Sequence, residues 1–168
     1  MIFICYGSLA SGQTKEEHIQ NLRSEFQRVN SITDLKEIVI DSEDFLDHVT
    51  DGGGELKGYF ENADLVKFTE RIGLSYGVRV TDYYSKAGRI FFSYRIESRF
   101  DDKYDDSGEL TGLNYSKLIL KYEGRYYFNN GKLIEIIEKV EPMFSSPFEA
   151  NSFLKVGHEL KELLVKAK

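Results

Sequence analysis

Through the middle of the chain apolar and polar residues alternate with a period of two, whereas near both ends the period lengthens to that of a helix. From Arg89 to Phe100 the even positions Ile90, Phe92, Tyr94, Ile96 and Phe100 are apolar or aromatic, and Arg89, Ser93, Arg95, Glu97 and Arg99 are polar, with Phe91 the exception. The same parity runs from Lys117 to Phe128, where Leu118, Leu120, Tyr122, Tyr126 and Phe128 oppose Lys117, Lys121, Glu123 and Arg125. Leu56 and Phe60, then Val66, Phe68 and Ile72, then Tyr76, Val78 and Val80 agree with it. Even positions are expected to face a core and odd positions solvent, as in half-buried antiparallel strands. Only Lys132 to Val140 departs, since Leu133-Ile134 and Ile136-Ile137 put aliphatic groups on both faces.

A hairpin motif recurs within this region: Gly58-Tyr59-Phe60 before Leu65-Val66, Asp82-Tyr83-Tyr84 before Gly88-Arg89-Ile90, and Arg125-Tyr126-Tyr127 before Gly131-Lys132-Leu133. Each unit places an aromatic residue or pair ahead of a short polar turn and restarts with aliphatic residues, the pattern of a β-meander. The parity assigns Phe60, Tyr84 and Tyr126 to the core and Tyr59, Tyr83 and Tyr127 to the outer face. Helices bracket the strands. Thr14 and Glu17 form a capping box ahead of the stripe Ile19, Leu22, Phe26 and Val29, while Ser146, Pro147 and Glu149 open a second helix with Phe153, Val156, Leu160, Leu163, Leu164 and Ala167 on one side. Gly52-Gly53-Gly54 predicts a flexible connection. The expected fold is α+β: a single antiparallel meander of about six strands, with a seventh at Lys36 to Ile40 and both amphipathic helices packed on its inner face.

Composition adds a compartment. With 168 residues, 12 Phe, 11 Tyr and two Pro, the chain suits one domain that buries a core without staples. Ile2 to Tyr6 is a short apolar run, and Ala10 and Gly12 fit a signal-peptidase site. Residues 1–12 are therefore expected to be the end of a secretory signal and 13–168 the mature domain. Cleavage there removes Cys5, the only cysteine, leaving no thiol for disulfides, catalysis or metal. No apolar run reaches the length of a membrane span.

The run from Gly53 to Phe60, then Ser75-Tyr76-Gly77, Asp82-Tyr83-Tyr84, Gly88 to Tyr94 and Glu123 to Ile134 resembles small uncharacterised secreted proteins of Gram-negative bacteria. The hairpins also resemble variant MORN repeats. The first likeness implies architecture and a secreted or periplasmic location, the second a repeat origin; neither transfers catalytic residues.

Charge placement suggests a partner. The net charge is −6, yet the expected outer sheet face carries Arg79, Arg95 and Arg125 among Tyr59, Tyr83 and Tyr127. Cations interleaved with rings favour an anionic polymer, a glycan or another envelope protein, and export argues against nucleic acid. The expected role is a non-enzymatic binding or structural module without a cofactor. The alternative is a small pocket protein or enzyme of the NTF2-like kind, built on Glu70 and Asp82, because a carboxylate on an apolar face needs a partner or a raised pKa. None of the three histidines has ligand spacing to another metal-binding residue. In the acidic run 101–109, Asp102, Asp105, Asp106 and Glu109 are candidate Ca²⁺ ligands, although the spacing is not that of an EF-hand loop.

Overall fold

A computed structural model describes residues 14–48, 50–139 and 148–168. The expected signal segment 1–12, like the anticipated cap at Ser146 and Pro147, lies outside the described residues. Helix α1 (Lys15–Asn30) begins as its capping box requires: the Thr14 hydroxyl accepts from the Glu17 amide at 3.2 Å, and the Glu17 carboxylate accepts from the Thr14 amide at 3.0 Å. The seven strands are β1 (Lys36–Asp41), β2 (Gly54–Glu61), β3 (Asp64–Leu74), β4 (Gly77–Lys86), β5 (Arg89–Tyr104), β6 (Leu110–Asn129) and β7 (Lys132–Glu138). They form one antiparallel sheet in sequential order, so the meander is confirmed and the strand at residues 36–41 completes it. Helix α2 (Ala150–Ala167) starts later than expected, with Glu149 at the N-cap and no side-chain cap bond. The glycine run is not a loose connection. Gly73 N donates to Gly53 O at 2.8 Å, and a Cβ on Gly52 would meet Gly73 Cα at 2.7 Å, so two backbones touch there.

The hairpin repeat is structural as well as written. In each copy the strand after the turn carries a β-bulge at the same place: Tyr59 pairs with Lys67 and Phe60 with Leu65, Tyr84 with Phe92 and Ser85 with Ile90, Tyr127 with Glu135 and Phe128 with Leu133. Val66, Phe91 and Ile134 are the inserted residues. An inserted residue reverses the parity of everything beyond it, because side chains alternate with a period of two. The expected inward and outward sets are therefore corrected. Tyr83 joins Phe60 and Tyr126 in one core cluster, whereas Tyr84 and Tyr127 belong to another with Val66, Phe91 and Phe92.

Two cores exist because the sheet is covered on both faces. Helix α1 lays Ile19, Phe26 and Val29 over the second cluster, with Phe26 ring centroids 4.8 Å from Tyr84 and 5.2 Å from Phe92. Helix α2 lays Phe153, Leu154, Leu160 and Leu164 over the first. The expectation that both helices share an inner face is thus wrong: each takes its own face. Rings at odd positions near the hairpin turns were free to be apolar because a helix shields them as well. Burial of a Leu or Phe side chain contributes roughly 1.5–3 kcal/mol, so either helix is held by several such side chains. α2 also comes close to the sheet. A Cβ on Gly157 would lie 2.8 Å from Ile90 Cδ1 and 2.9 Å from Tyr83 Cε1, so this position admits no larger residue without displacing the helix.

Beyond Arg99, β5 and β6 leave the sheet as a two-stranded ribbon. Leu118, expected in the core, is exposed on it together with Tyr104, Leu110 and Tyr115, and Leu120, also expected in the core, is exposed opposite Ser98 where the ribbon begins.

Candidate functional site

The register of the sheet writes the site out row by row on the α2 face. Nearest the hairpin turns runs an apolar row, Phe68, Tyr83, Ser93, Tyr126 and Ile136, each paired with the next across β3 to β7. Next comes Glu70, Thr81, Arg95, Gly124 and Glu138, followed by Ile72, Arg79, Glu97 and Tyr122. Helix α2 seals the apolar row with Phe153 but leaves the two polar rows open beside it. The result is an open-sided cleft of about 800 Å³ whose floor is charged and whose wall is Tyr126, Phe148, Phe153 and Val156. Phe148 stacks on Tyr126 at 4.2 Å, which extends the wall outward. A second groove of about 510 Å³ adjoins it further along α2 and shares Glu70, Arg79 and Val156.

Some of the floor is satisfied internally. Arg95 donates from Nε to Thr81 Oγ1 at 3.2 Å, and its guanidinium lies 4.9 Å from the Phe153 ring centroid, a cation–π contact. Tyr122 and Tyr126 bring their hydroxyls together over Gly124, and Tyr122 donates to Glu138 Oε1 at 2.5 Å. Burial pushes the hydroxyls of Tyr83, Tyr122 and Tyr126 well above the usual phenol range, so all three stay neutral donors at physiological pH. Only glycine leaves room for that tyrosine pair. A Cβ on Gly124 would clash with both hydroxyls, so Gly124→Ala is expected to lose about 1–3 kcal/mol as the buried hydrogen bonds break. Urea unfolding measures this loss, and a change below about 0.5 kcal/mol would show that the pair rearranges freely.

Two groups on the floor have no such partners. Glu70 is 5% exposed, and its carboxyl receives only the distant attraction of Arg79 and Arg95, with no hydrogen bond among the described residues. Burial raises its pKa above the ordinary 4.5 despite that attraction. Arg79 Nε is buried without a hydrogen-bond partner. Buried polar atoms are almost always paired, so an unpaired buried donor on Arg79, in one cleft with a carboxyl that makes no hydrogen bond among the described residues, is informative. No family model, curated protein or solved structure matches this chain. The reading therefore rests on the cleft itself.

The six residues expected to form one basic-aromatic platform are divided. Arg79, Tyr83 and Arg95 are on the α2 face, with Tyr83 buried, whereas Arg125 and Tyr127 lie under α1 beside Leu22, Arg23 and Phe26. Tyr59 is also on the α1 side, next to Val29, Asn30 and Lys67. Arg125 is paired with Glu123, so it is not a free cation. The division follows from the bulges and from β4, whose odd positions face α2.

Glu70 and Asp82 do not converge either. Asp82 is on the α1 face, where Thr69 Oγ1 donates to it at 2.6 Å and Lys67 Nζ lies 3.5 Å away. Lys67 in turn sits 5.3 Å from the Tyr84 ring and 5.7 Å from Tyr59. Asp82 thus serves a local network, and Glu70 alone of the two lines the cleft.

The acidic run does not assemble a metal site. Asp105 Oδ1 accepts from the Ser107 amide, the Ser107 hydroxyl and the Glu109 amide, at 2.9, 2.7 and 2.9 Å, which shapes the ribbon's end turn. Asp102 accepts from Arg99 at 2.7 Å. Among the described residues no three metal-ligating side chains come together. Sequence reasoning passed over Tyr122, Tyr126, Glu97 and Glu138. The available signal was Tyr-x-Gly-x-Tyr at residues 122–126, two rings on one strand face with a gap between them.

Proposed function

We propose that the protein is a non-enzymatic ligand-binding module and that its ligand occupies the cleft between α2 and the strands β3 to β7. The observation that carries this reading is the unpaired Arg79 Nε beside a Glu70 carboxyl that makes no hydrogen bond among the described residues, on the floor of an aromatic-walled cleft. Leaving a buried polar group unsatisfied costs about 1–3 kcal/mol, and a bound molecule offering a donor to one and an acceptor to the other recovers that cost on binding. Apolar walls with a few convergent polar groups are the usual composition of a small-molecule site. The cleft is wide, and its carboxyls Glu70, Glu97 and Glu138 offset the two arginines, which favours a small ligand over an anionic polymer. A binding role also suits the export expected from residues 1–12, which remains part of the proposal.

The test is a fragment screen followed by backbone amide NMR on the full chain. Binding is expected to move the amides of Glu70, Arg79, Arg95 and Phe153 while sparing Lys67, Asp82 and Arg125 on the other face. Fragment hits that shift only the α1 face, or no hits at all, would overturn the reading.

A further inference from the structure

Resting on that reading, the cleft's own chemistry narrows its ligand. We infer that the ligand is a zwitterion carrying a flat apolar body, with its cationic group against Glu70, its anionic group against Arg79 and its apolar body on the wall of Tyr126, Phe148 and Phe153.

The floor demands both charges at once. Glu70 faces Thr81 across β3 and β4, and Arg79 lies two residues further along β4, so the two are diagonal neighbours on one face. Such neighbours have Cα atoms about 7–8 Å apart, close enough for long side chains to meet. Yet no ion pair joins them: Glu70 makes no hydrogen bond among the described residues and Arg79 Nε has no acceptor. An anion alone would satisfy Arg79 and leave a carboxyl buried beside it. A cation alone would satisfy Glu70 and leave Arg79 Nε without an acceptor.

Charge balance and shape agree with this. Arg95 is already engaged with Thr81 and Phe153, so it contributes field more than a free hydrogen-bonding fork. Glu97 and Glu138 line the same cleft, and their carboxyls would repel a multiply charged anion. Beside the polar rows the stacked pair Tyr126 and Phe148, 4.2 Å apart and 11° from parallel, presents a flat apolar surface. An α-amino acid or peptide terminus with a planar side chain has this combination of groups: opposite charges a few bonds apart and a ring beside them.

Four probes of one shape separate the terms: L-phenylalanine, 3-phenylpropionate, 2-phenylethylamine and 2-phenylethanol, titrated calorimetrically into the full chain with amide shifts recorded in parallel. Phenylalanine is expected to bind at least tenfold more tightly than any of the others. Glu70→Gln should erase its advantage over 3-phenylpropionate, and Arg79→Gln its advantage over 2-phenylethylamine, each with the thermal transition retained as evidence of folding. If 3-phenylpropionate or 2-phenylethylamine matches phenylalanine while moving the same cleft amides, the zwitterion is overturned and the binding cleft stands. If none of the four moves a cleft amide, the inference is likewise overturned, and the fragment screen alone then decides the underlying reading.

Discussion

Replacing Phe153 by alanine is expected to lower the stability of the protein by about 3–5 kcal/mol, the range for deleting a large aromatic from a packed core. Phe153 is the point at which α2 engages the sheet. Its ring centroid lies 5.3 Å from Tyr83, 5.2 Å from Tyr126, 6.1 Å from Phe128 and 5.1 Å from Phe148. Removing it leaves a void between α2 and the apolar row and deprives Arg95 of its stacking surface. Tyr83, Tyr126 and Phe128 are held by their own strands and cannot collapse into the space, so the cavity cost is added to the lost transfer energy. Urea unfolding of the variant should show a lower midpoint at unchanged slope. Val156→Ala is the control: Val156 also lines the cleft, but it is exposed, and its truncation should cost within about 0.5 kcal/mol. A loss below about 1 kcal/mol for Phe153→Ala would mean that α2 is not anchored here.

Glu70→Gln is expected to act in the opposite direction and to stabilise the protein at pH 7. The titratable groups that line the two grooves with Glu70 are Arg79 and Tyr83 from β4, Arg95 and Glu97 from β5, Tyr122 and Tyr126 from β6, Glu138 from β7, Glu149, Glu159, Glu162 and Lys166 from α2 and its cap, and Asp47 from the loop after β1. None holds it by a hydrogen bond, and burial keeps its pKa above the ordinary 4.5. The folded protein therefore retains a proton that the unfolded chain releases. As pH rises from about 4.5 through the raised folded value, the native protein loses stability relative to the glutamine variant. Below that window both forms carry a neutral side chain, and the difference should vanish. Thermal unfolding of the pair across pH measures this directly. A destabilised variant at pH 7 would show that Glu70 has a strong partner and is structural. A stabilised variant that has also lost its ligand preference would mark Glu70 as a residue kept for binding at a cost to the fold.

Much of the architecture was legible because each element carried a local signal. The Thr14 and Glu17 box specified the start of α1, and three turn-flanked aromatic units fixed the hairpins and hence the meander. The faces were not legible in the same way. Alternation tells which residues share a side of a strand, but a bulge reverses that assignment without any change in composition. Phe91 as an exception and Leu133-Ile134 as a doublet were the visible traces. Read with Leu65-Val66, they give two consecutive apolar residues after every turn, which is what a bulge covered on both faces requires. Alternation also says nothing about what covers a face, and so rings under α1 were taken for solvent-facing ones. The cleft was half legible. Glu70 stood out as an acid on an inward position, but its neighbour Arg79 was assigned to the opposite face by the same parity rule. Only the register of β3 and β4 brings the two together.

The central claim is that the cleft holds the carboxyl of Glu70, a largely buried residue, with no hydrogen bond to it among the described residues. It is tested most directly by following the Glu70 side-chain carboxyl carbon by NMR through an acid titration of the free protein. The account expects a midpoint above 4.5. A midpoint at or below 4.5 would mean that an internal cation already satisfies Glu70, and would contradict the assignment of the cleft as a binding site.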